Sequence, residues 1–203
     1  MPAIGICSYQ INKAGIDILR KEVFQMSDKL KIVVFSDSHG NPEKMLKAAK
    51  IHMSTADYFI FLGDGLGDAK RLEQFTEKPV IKVAGNCDGM YMGISGEKHG
   101  SECFLDLGNL SLFICHGHTF GVKSGFGALE AEAKRKNADI ALFGHTHISF
   151  EKYIPPEKGG DKPLYLFNPG SISKPRDGAP SYGIIEMRQS AGRKDILLSN
   201  ATL

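Results

Sequence analysis

Apolar residues along this chain come in short runs that stop abruptly in polar, chemically capable residues. The first run, Ile32-Val33-Val34-Phe35, is continuous and mostly β-branched, and it gives way to Ser36-Asp37-Ser38-His39 and then Gly40, Asn41 and Pro42. A run of that kind fits a strand buried on both faces better than a helix. Residues i and i+2 of an extended segment point to the same side, so Asp37 and His39 are expected to converge beyond the strand's carboxyl end. Asn41 and Pro42 then read as an N-cap and a first-turn proline, with Met45, Leu46, Ala49 and Ile51 as the apolar stripe of a helix. The pattern repeats. Residues 58–62 form a second run that ends in Gly63-Asp64, residues 68–75 read as a helix, and residues 79–83 form a third run that ends in Gly85-Asn86-Cys87-Asp88.

The rhythm then changes. Residues 103–107 and 110–115 flank Gly108-Asn109, a two-residue turn that predicts a hairpin, and the second arm ends in His116-Gly117-His118. Residues 127–136 read as a helix, and 139–143 as a strand that ends in Gly144-His145-Thr146-His147. Short strands follow at 148–154, 164–167, 182–187 and 195–198, with a loop over 155–163. Parallel strand–helix units followed by hairpins, each polar cluster sitting just after a strand, predict an α/β domain. Its layers run α/β/β/α, two mixed sheets flanked by helices, with the site along one edge.

Residues 1–29 read as an N-terminal extension and 30–203 as the domain. The extension has a short helix expected near residues 14–24 and carries no chemistry. Lys21-Glu22-Val23 can be encoded by a ribosome-binding sequence close ahead of Met26. That suggests a native start at Met26, directly before the first strand.

With 203 residues, 42% hydrophobic and 24% charged, the chain can bury a sizeable core in one domain. A net charge of +2 with dispersed basic residues gives no footprint for a nucleic acid polymer and no polybasic membrane anchor. Cys7, Cys87, Cys103 and Cys115 occur singly, which favours reduced thiols and a cytoplasmic protein. No apolar stretch approaches the length of a membrane span.

The strand-end clusters together supply two carboxylates, one amide and four imidazoles, enough for two metal ions that share a carboxylate. Mixed oxygen and nitrogen donors suit Mn, Fe, Zn, Ni or Co and argue against a structural thiolate zinc. A lone strand-end Asp or His is usually structural; five such clusters, four of them beside glycines that permit close backbone approach, are not.

The order D-x-H, G-D, G-N, H-G, G-H-T-H resembles that of the calcineurin-like metallophosphoesterase superfamily. The Gly85-Asn86-Cys87-Asp88 form of the third motif, with Asn168-Pro169-Gly170-Ser171 and Lys174-Pro175-Arg176, is similar to its small bacterial and archaeal phosphodiesterase branch, the YfcE type. The resemblance implies that Asp37, His39 and His147 hold one metal, that Asn86, His116 and His145 hold the other, and that Asp64 bridges them. It implies two divalent cations, Mn first, with Ni, Zn, Fe or Co as alternatives. The expected reaction is hydrolysis of a small organic phosphodiester by in-line attack of a metal-bridging hydroxide. A small molecule is the expected partner, and a homo-oligomer is compatible with the sequence. A broad phosphomonoesterase is the alternative, and a non-catalytic interaction scaffold like the retromer subunit Vps29 a weaker one, since that branch loses ligand histidines.

One position departs from the pattern. Many superfamily members follow the third-motif Asn with His, a general-acid candidate; here that place is Cys87, to which we assign a small-residue packing role. His118, two residues past His116, becomes the alternative acid, phosphate contact or support for a ligand, so Asp64, Asn86 and His118 stand as the catalytic set. Asp88 reads as a ligand-orienting group or a turn residue, and Asp68 as a helix cap. Arg176 meets the phosphate or braces its loop. Asn168-Pro169-Gly170 reads as a turn near the metals, His52 and His99 as solvated surface groups.

Overall fold

A computed structural model describes residues 29–89, 96, 98–156, 162–190 and 192–203. The expected helix near residues 14–24 and most of the proposed extension lie outside the described residues. Lys29 already belongs to the first strand.

That strand, β1 (Lys29–Phe35), lies at the centre of the first sheet, pairing in parallel with β2 (Tyr58–Phe61) and antiparallel with β9 (Ser181–Ser190). With β3 (Val80–Lys82) and β10 (Arg193–Thr202) the order is β10-β9-β1-β2-β3. The second sheet runs β4-β5-β6-β8-β7, from β4 (Glu102–Asp106), β5 (Ser111–Cys115), β6 (Ile140–Leu142), β7 (Ser149–Ile154) and β8 (Leu164–Pro169). Both sheets mix parallel and antiparallel pairs, as the switch from strand–helix units to hairpins implies.

Burial on both faces explains the continuous apolar runs. In β1, Ile32 and Val34 enter the core between the sheets, with Ile60, Leu62, Ile114, Ile140 and Phe167, while Val33 and Phe35 face the other way. There they meet α1 (Glu43–His52) and α2 (Leu66–Thr76), which cover the outer face of the first sheet. The third helix, α3 (Gly127–Arg135), covers the second sheet through Leu129 and Ala133. Each fully buried Ile, Leu or Phe contributes about 1.5–3 kcal/mol. The layers are therefore helix, sheet, sheet, helix. No helix among the described residues is long and apolar enough to cross a membrane.

Two expectations for α1 need correction. The helix begins at Glu43, with Pro42 rather than Asn41 at its cap and no side-chain capping bond. Ile51 is 62% exposed, whereas His52 turns inward and meets the Tyr182 hydroxyl at 3.1 Å. The inward face is Met45, Ala48, Ala49 and His52, a stripe of period three to four that reading Ile51 as apolar and His52 as polar displaces by one position.

At the amino end of β6, Asp139 ties the sheets together. It accepts from the Ser111 backbone N–H at 2.8 Å and pairs with Lys162 and, from β10 of the other sheet, Lys194. The opposite end of the sandwich, beyond the carboxyl ends of β1, β2, β5 and β6, carries the predicted chemistry.

Candidate metal centre

Among the described residues seven non-glycines have positive φ, and five of them are predicted ligands: Asp37 (55°), His39 (48°), Asp64 (59°), His145 (67°) and His147 (61°). Left-handed backbone on non-glycine residues is costly and concentrates where function requires a particular side-chain direction. It also revises the reading of Asp37 and His39. They converge through a left-handed turn, with Asp37 N–H donating to Gly63 C=O at 3.1 Å and His39 N–H to Asp64 C=O at 2.9 Å, and not through the two-residue repeat of an extended strand. Glycines allow the loops to touch: a methyl at Gly85 would collide with the Asp64 carboxylate, and one at Gly144 with Ser36.

The first group is Asp37, His39 and His147, whose donor atoms all lie within 4.8 Å of one another. His147 Nε2 stands 3.1 Å from Asp37 Oδ1 and 3.1 Å from His39 Nε2. The second group is Asp64, His116 and His145, equally close. His116 Nε2 lies 3.5 Å from Asp64 Oδ2 and 3.2 Å from Asn86 Oδ1. Asp64 Oδ2 is also 3.9 Å from His39 Nε2, so this carboxylate stands between the groups. The structure thus brings all seven expected ligand residues to one place.

Their tautomers fit cation binding. His116 Nδ1 contacts the Leu62 carbonyl at 2.6 Å and His147 Nδ1 the Lys174 carbonyl at 2.6 Å, so each Nδ1 carries the proton and donates it. Each Nε2 lone pair is left aimed inward, the arrangement that outer partners impose on metal-binding imidazoles. Asp37 is fully buried, and its Oδ1 receives no well-aligned hydrogen bond despite the nearby His147. A buried carboxylate oxygen without a donor is expensive unless a cation meets it. The residues present therefore fit a pair of divalent ions.

The field of the site is uneven. Burial works against charge on His116, but Asp64 and Asp37 beside it more than compensate and raise its pKa. The Asp37 carboxylate raises that of His147. Burial lowers His39, and burial with His116 and Lys123 nearby pushes His145 down to about 4. Asp64 is held well below the usual carboxylate range; burial opposes this, but His116 and the Cys87 N–H, at 2.8 Å, prevail.

Four side chains outside the ligand set support the site. Asp88 is buried and its carboxylate accepts from four backbone N–H groups, of Asp64, Gly65, Leu66 and Gly85, at 2.8–2.9 Å. It holds the backbone on either side of Asp64, beyond any turn of its own. Asp68 does not cap α2; it lies buried in the first turn and accepts from Ser38 Oγ at 2.6 Å and Gly40 N–H at 2.8 Å, fixing the Asp37–His39 turn. Ser171 Oγ donates to the Asp37 carbonyl at 2.8 Å, and Asn168 Nδ2 to Gly144 C=O and Thr146 Oγ1, both at 3.0 Å. Apart from the orienting alternative for Asp88, nothing in a single sequence separates these groups from ordinary turn residues, because all their partners but Gly85, three residues from Asp88, are 22 to 134 residues away.

Cys87 is exposed rather than packed, so the packing role is withdrawn; burial of its sulfur and the Asp64 charge push its thiol up to about 11. His118 opens a one-turn 3₁₀ helix, with its ring 5.4 Å from that of His116 and a buried Nδ1 that has no hydrogen-bond partner. Arg176 is exposed, and its backbone N–H donates to the His147 carbonyl at 3.0 Å, which braces that loop.

A calcineurin-like phosphoesterase superfamily domain model matches residues 30–190. The chain is 29% identical over 167 residues to the probable metallophosphoesterase YsnB of Bacillus subtilis, covering 80% of this chain and 87% of that protein. It is 29% identical over 178 residues to the phosphodiesterase YfcE of Escherichia coli K12, covering 77% and 88%. A predicted phosphoesterase from Streptococcus pneumoniae TIGR4 shares the fold, with a TM-score of 0.64 at 23% identity over 84% of this chain and 98% of that one.

Proposed function

This chain belongs to the calcineurin-like phosphoesterase superfamily, and from that premise we propose that it is a binuclear metal-dependent phosphodiesterase. Its substrate would be a small organic phosphodiester in the cytoplasm. The observation that carries this reading is one carboxylate, Asp64, standing between two clusters of imidazoles, His39 on one side and His116 with His145 on the other. YfcE, whose name carries the diester activity, supports the substrate class.

Asp37, His39 and His147 would hold one ion and Asn86, His116 and His145 the other, with Asp64 shared. Two such ions, Mn first, supply a water of lowered pKa and a clamp on the phosphoryl oxygens for in-line displacement. The protein's part is positioning. Leu62 and Lys174 carbonyls hold the tautomers of His116 and His147, Asp88 seats Asp64, and the exposed Asn86 and Cys87 leave the mouth open on one side. His118, beside His116, is the proton donor we assign to the departing alkoxide.

Turnover of bis-p-nitrophenyl phosphate and p-nitrophenyl phosphate with each divalent metal tests the reading, with Asp64→Asn as the inactive control. Diester hydrolysis that depends on metal and on Asp64 is expected. Faster monoester turnover would move the assignment to a phosphomonoesterase, and no turnover with any metal would favour an interaction scaffold. His118→Ala should lower kcat about 100-fold on an alkyl ester and spare the p-nitrophenyl ester; equal effects on both would remove it as the acid.

A further inference from the structure

A third cluster of donors overlaps the two halves of the centre without belonging to either. A ring nitrogen of His39, a carboxylate oxygen of Asp64 and the Cys87 sulfur all lie within 4.8 Å of one another. The position of the sulfur is held from two sides: the Cys87 N–H donates to Asp64 Oδ1 at 2.8 Å, and Asn86 Nδ2 points at Sγ from 3.3 Å. The residue faces solvent. Independently, the fully buried Asp37 Oδ1, 3.9 Å from His39 Nε2, has no hydrogen-bond partner, so the His39 side of the centre is built for a ligand that the protein does not supply.

Thiolate is a soft donor and selects Zn and related thiophilic ions over Mn or Mg, which prefer carboxylate, carbonyl and water. Building on the binuclear reading above, we propose that Cys87 is a metal-selective ligand. A thiophilic divalent ion in the half that holds His39 and Asp64 takes the Cys87 sulfur as a further donor. The thiol proton passes to solvent, and one sulfur–metal bond forms. A hard ion would leave the thiol uncoordinated, so the sulfur would favour soft ions over hard ones in this half.

The test uses cadmium as the probe, with wild type and Cys87→Ser of the full chain compared by equilibrium dialysis, elemental analysis and ultraviolet absorption. A sulfur-to-cadmium charge-transfer band should grow with uptake in wild type and be absent from the variant. Cadmium affinity should fall at least about tenfold in the variant, while manganese affinity stays within about twofold. Two cadmium ions bound with no band, or a band of equal strength in Cys87→Ser, would overturn the role of Cys87 and leave the binuclear centre standing. Failure of both proteins to bind cadmium or manganese would overturn both.

Discussion

Two groups of buried carboxylates sit at opposite ends of this sandwich, and they are built differently. At the base, Asp139 carries its own countercharge: Lys194 and Lys162 pair with it, and the Ser111 N–H and hydroxyl also reach it. At the rim, Asp37 and Asp64 pair only with imidazoles among the described residues, two whose pKa these carboxylates raise and two whose pKa burial lowers, and one Asp37 oxygen has no donor. The base is complete within the chain. The rim carboxylates have no amine or guanidinium paired with them among the described residues, and an external cation would complete them. A buried carboxylate is thus a fastener where its amines come with it and a binding site where they do not.

The sharpest way to break that contrast is to supply the cation. One ion at 100 times its Kd adds about 2.7 kcal/mol to stability, so two filled sites should add about 5 kcal/mol, read as a rise in Tm with manganese and its loss with a chelator. Asp37→Asn should remove about half of the increment, whereas Asp139→Asn should leave it intact while lowering the starting Tm. An equal increment in Asp37→Asn would deny the first half its ion. Next in size is Asp88→Ala. Three buried N–H groups and one half-buried one would lose their acceptor at about 1 kcal/mol each, so urea unfolding should register about 3–4 kcal/mol. On the proposed sharing of Asp64, titration should find uptake weakened in both halves together; weakening in one alone would mean that Asp64 does not bridge.

The base and the rim also differ in how well the sequence announces them. Strand cores were legible because burial on both faces leaves unbroken apolar runs such as Val33 to Phe35, and the residues that gather at the candidate site were legible because each follows such a run. The means of convergence was not, since left-handed φ at Asp37, His39 and Asp64 is imposed by tertiary hydrogen bonds to other loops and leaves no local signature. Asp139 had no motif around it, because its partners Lys162 and Lys194 come from distant segments. His52 was misplaced for a related reason: one hydroxyl, on Tyr182 in β9, makes an interior position tolerable for an imidazole.

The base gives the pH arm of the comparison. Burial alone would raise the Asp139 carboxyl, but Lys194 and the Ser111 N–H outweigh it and hold its pKa below the usual range. A depressed folded value stabilises above the unfolded pKa of about 3.9, and that contribution is lost as pH falls through the lower folded value. Asp139→Asn should cost about 2 kcal/mol at neutral pH. The difference between wild type and variant should shrink on acidification below about pH 4. A difference that stays constant down to pH 2 would mean that packing, not charge, is what Asp139 contributes.

The smallest expected effect probes the rim without touching a ligand. Ser171 Oγ donates to the Asp37 carbonyl and accepts from the Lys174 N–H, both at 2.8 Å, and the Lys174 carbonyl in turn holds His147. One hydroxyl therefore orients two members of the first half and none of the second. Ser171→Ala should cost about 1 kcal/mol in urea unfolding. Its effect on metal should be larger in proportion, about 10- to 100-fold weaker uptake by the first half, as for other groups that orient ligands. Calorimetric titration with manganese separates the halves: one weakened site beside one unchanged site is expected. Two equally weakened sites would show that Ser171 braces the whole rim, and the division into halves would then describe where the ligands sit but not how they are held.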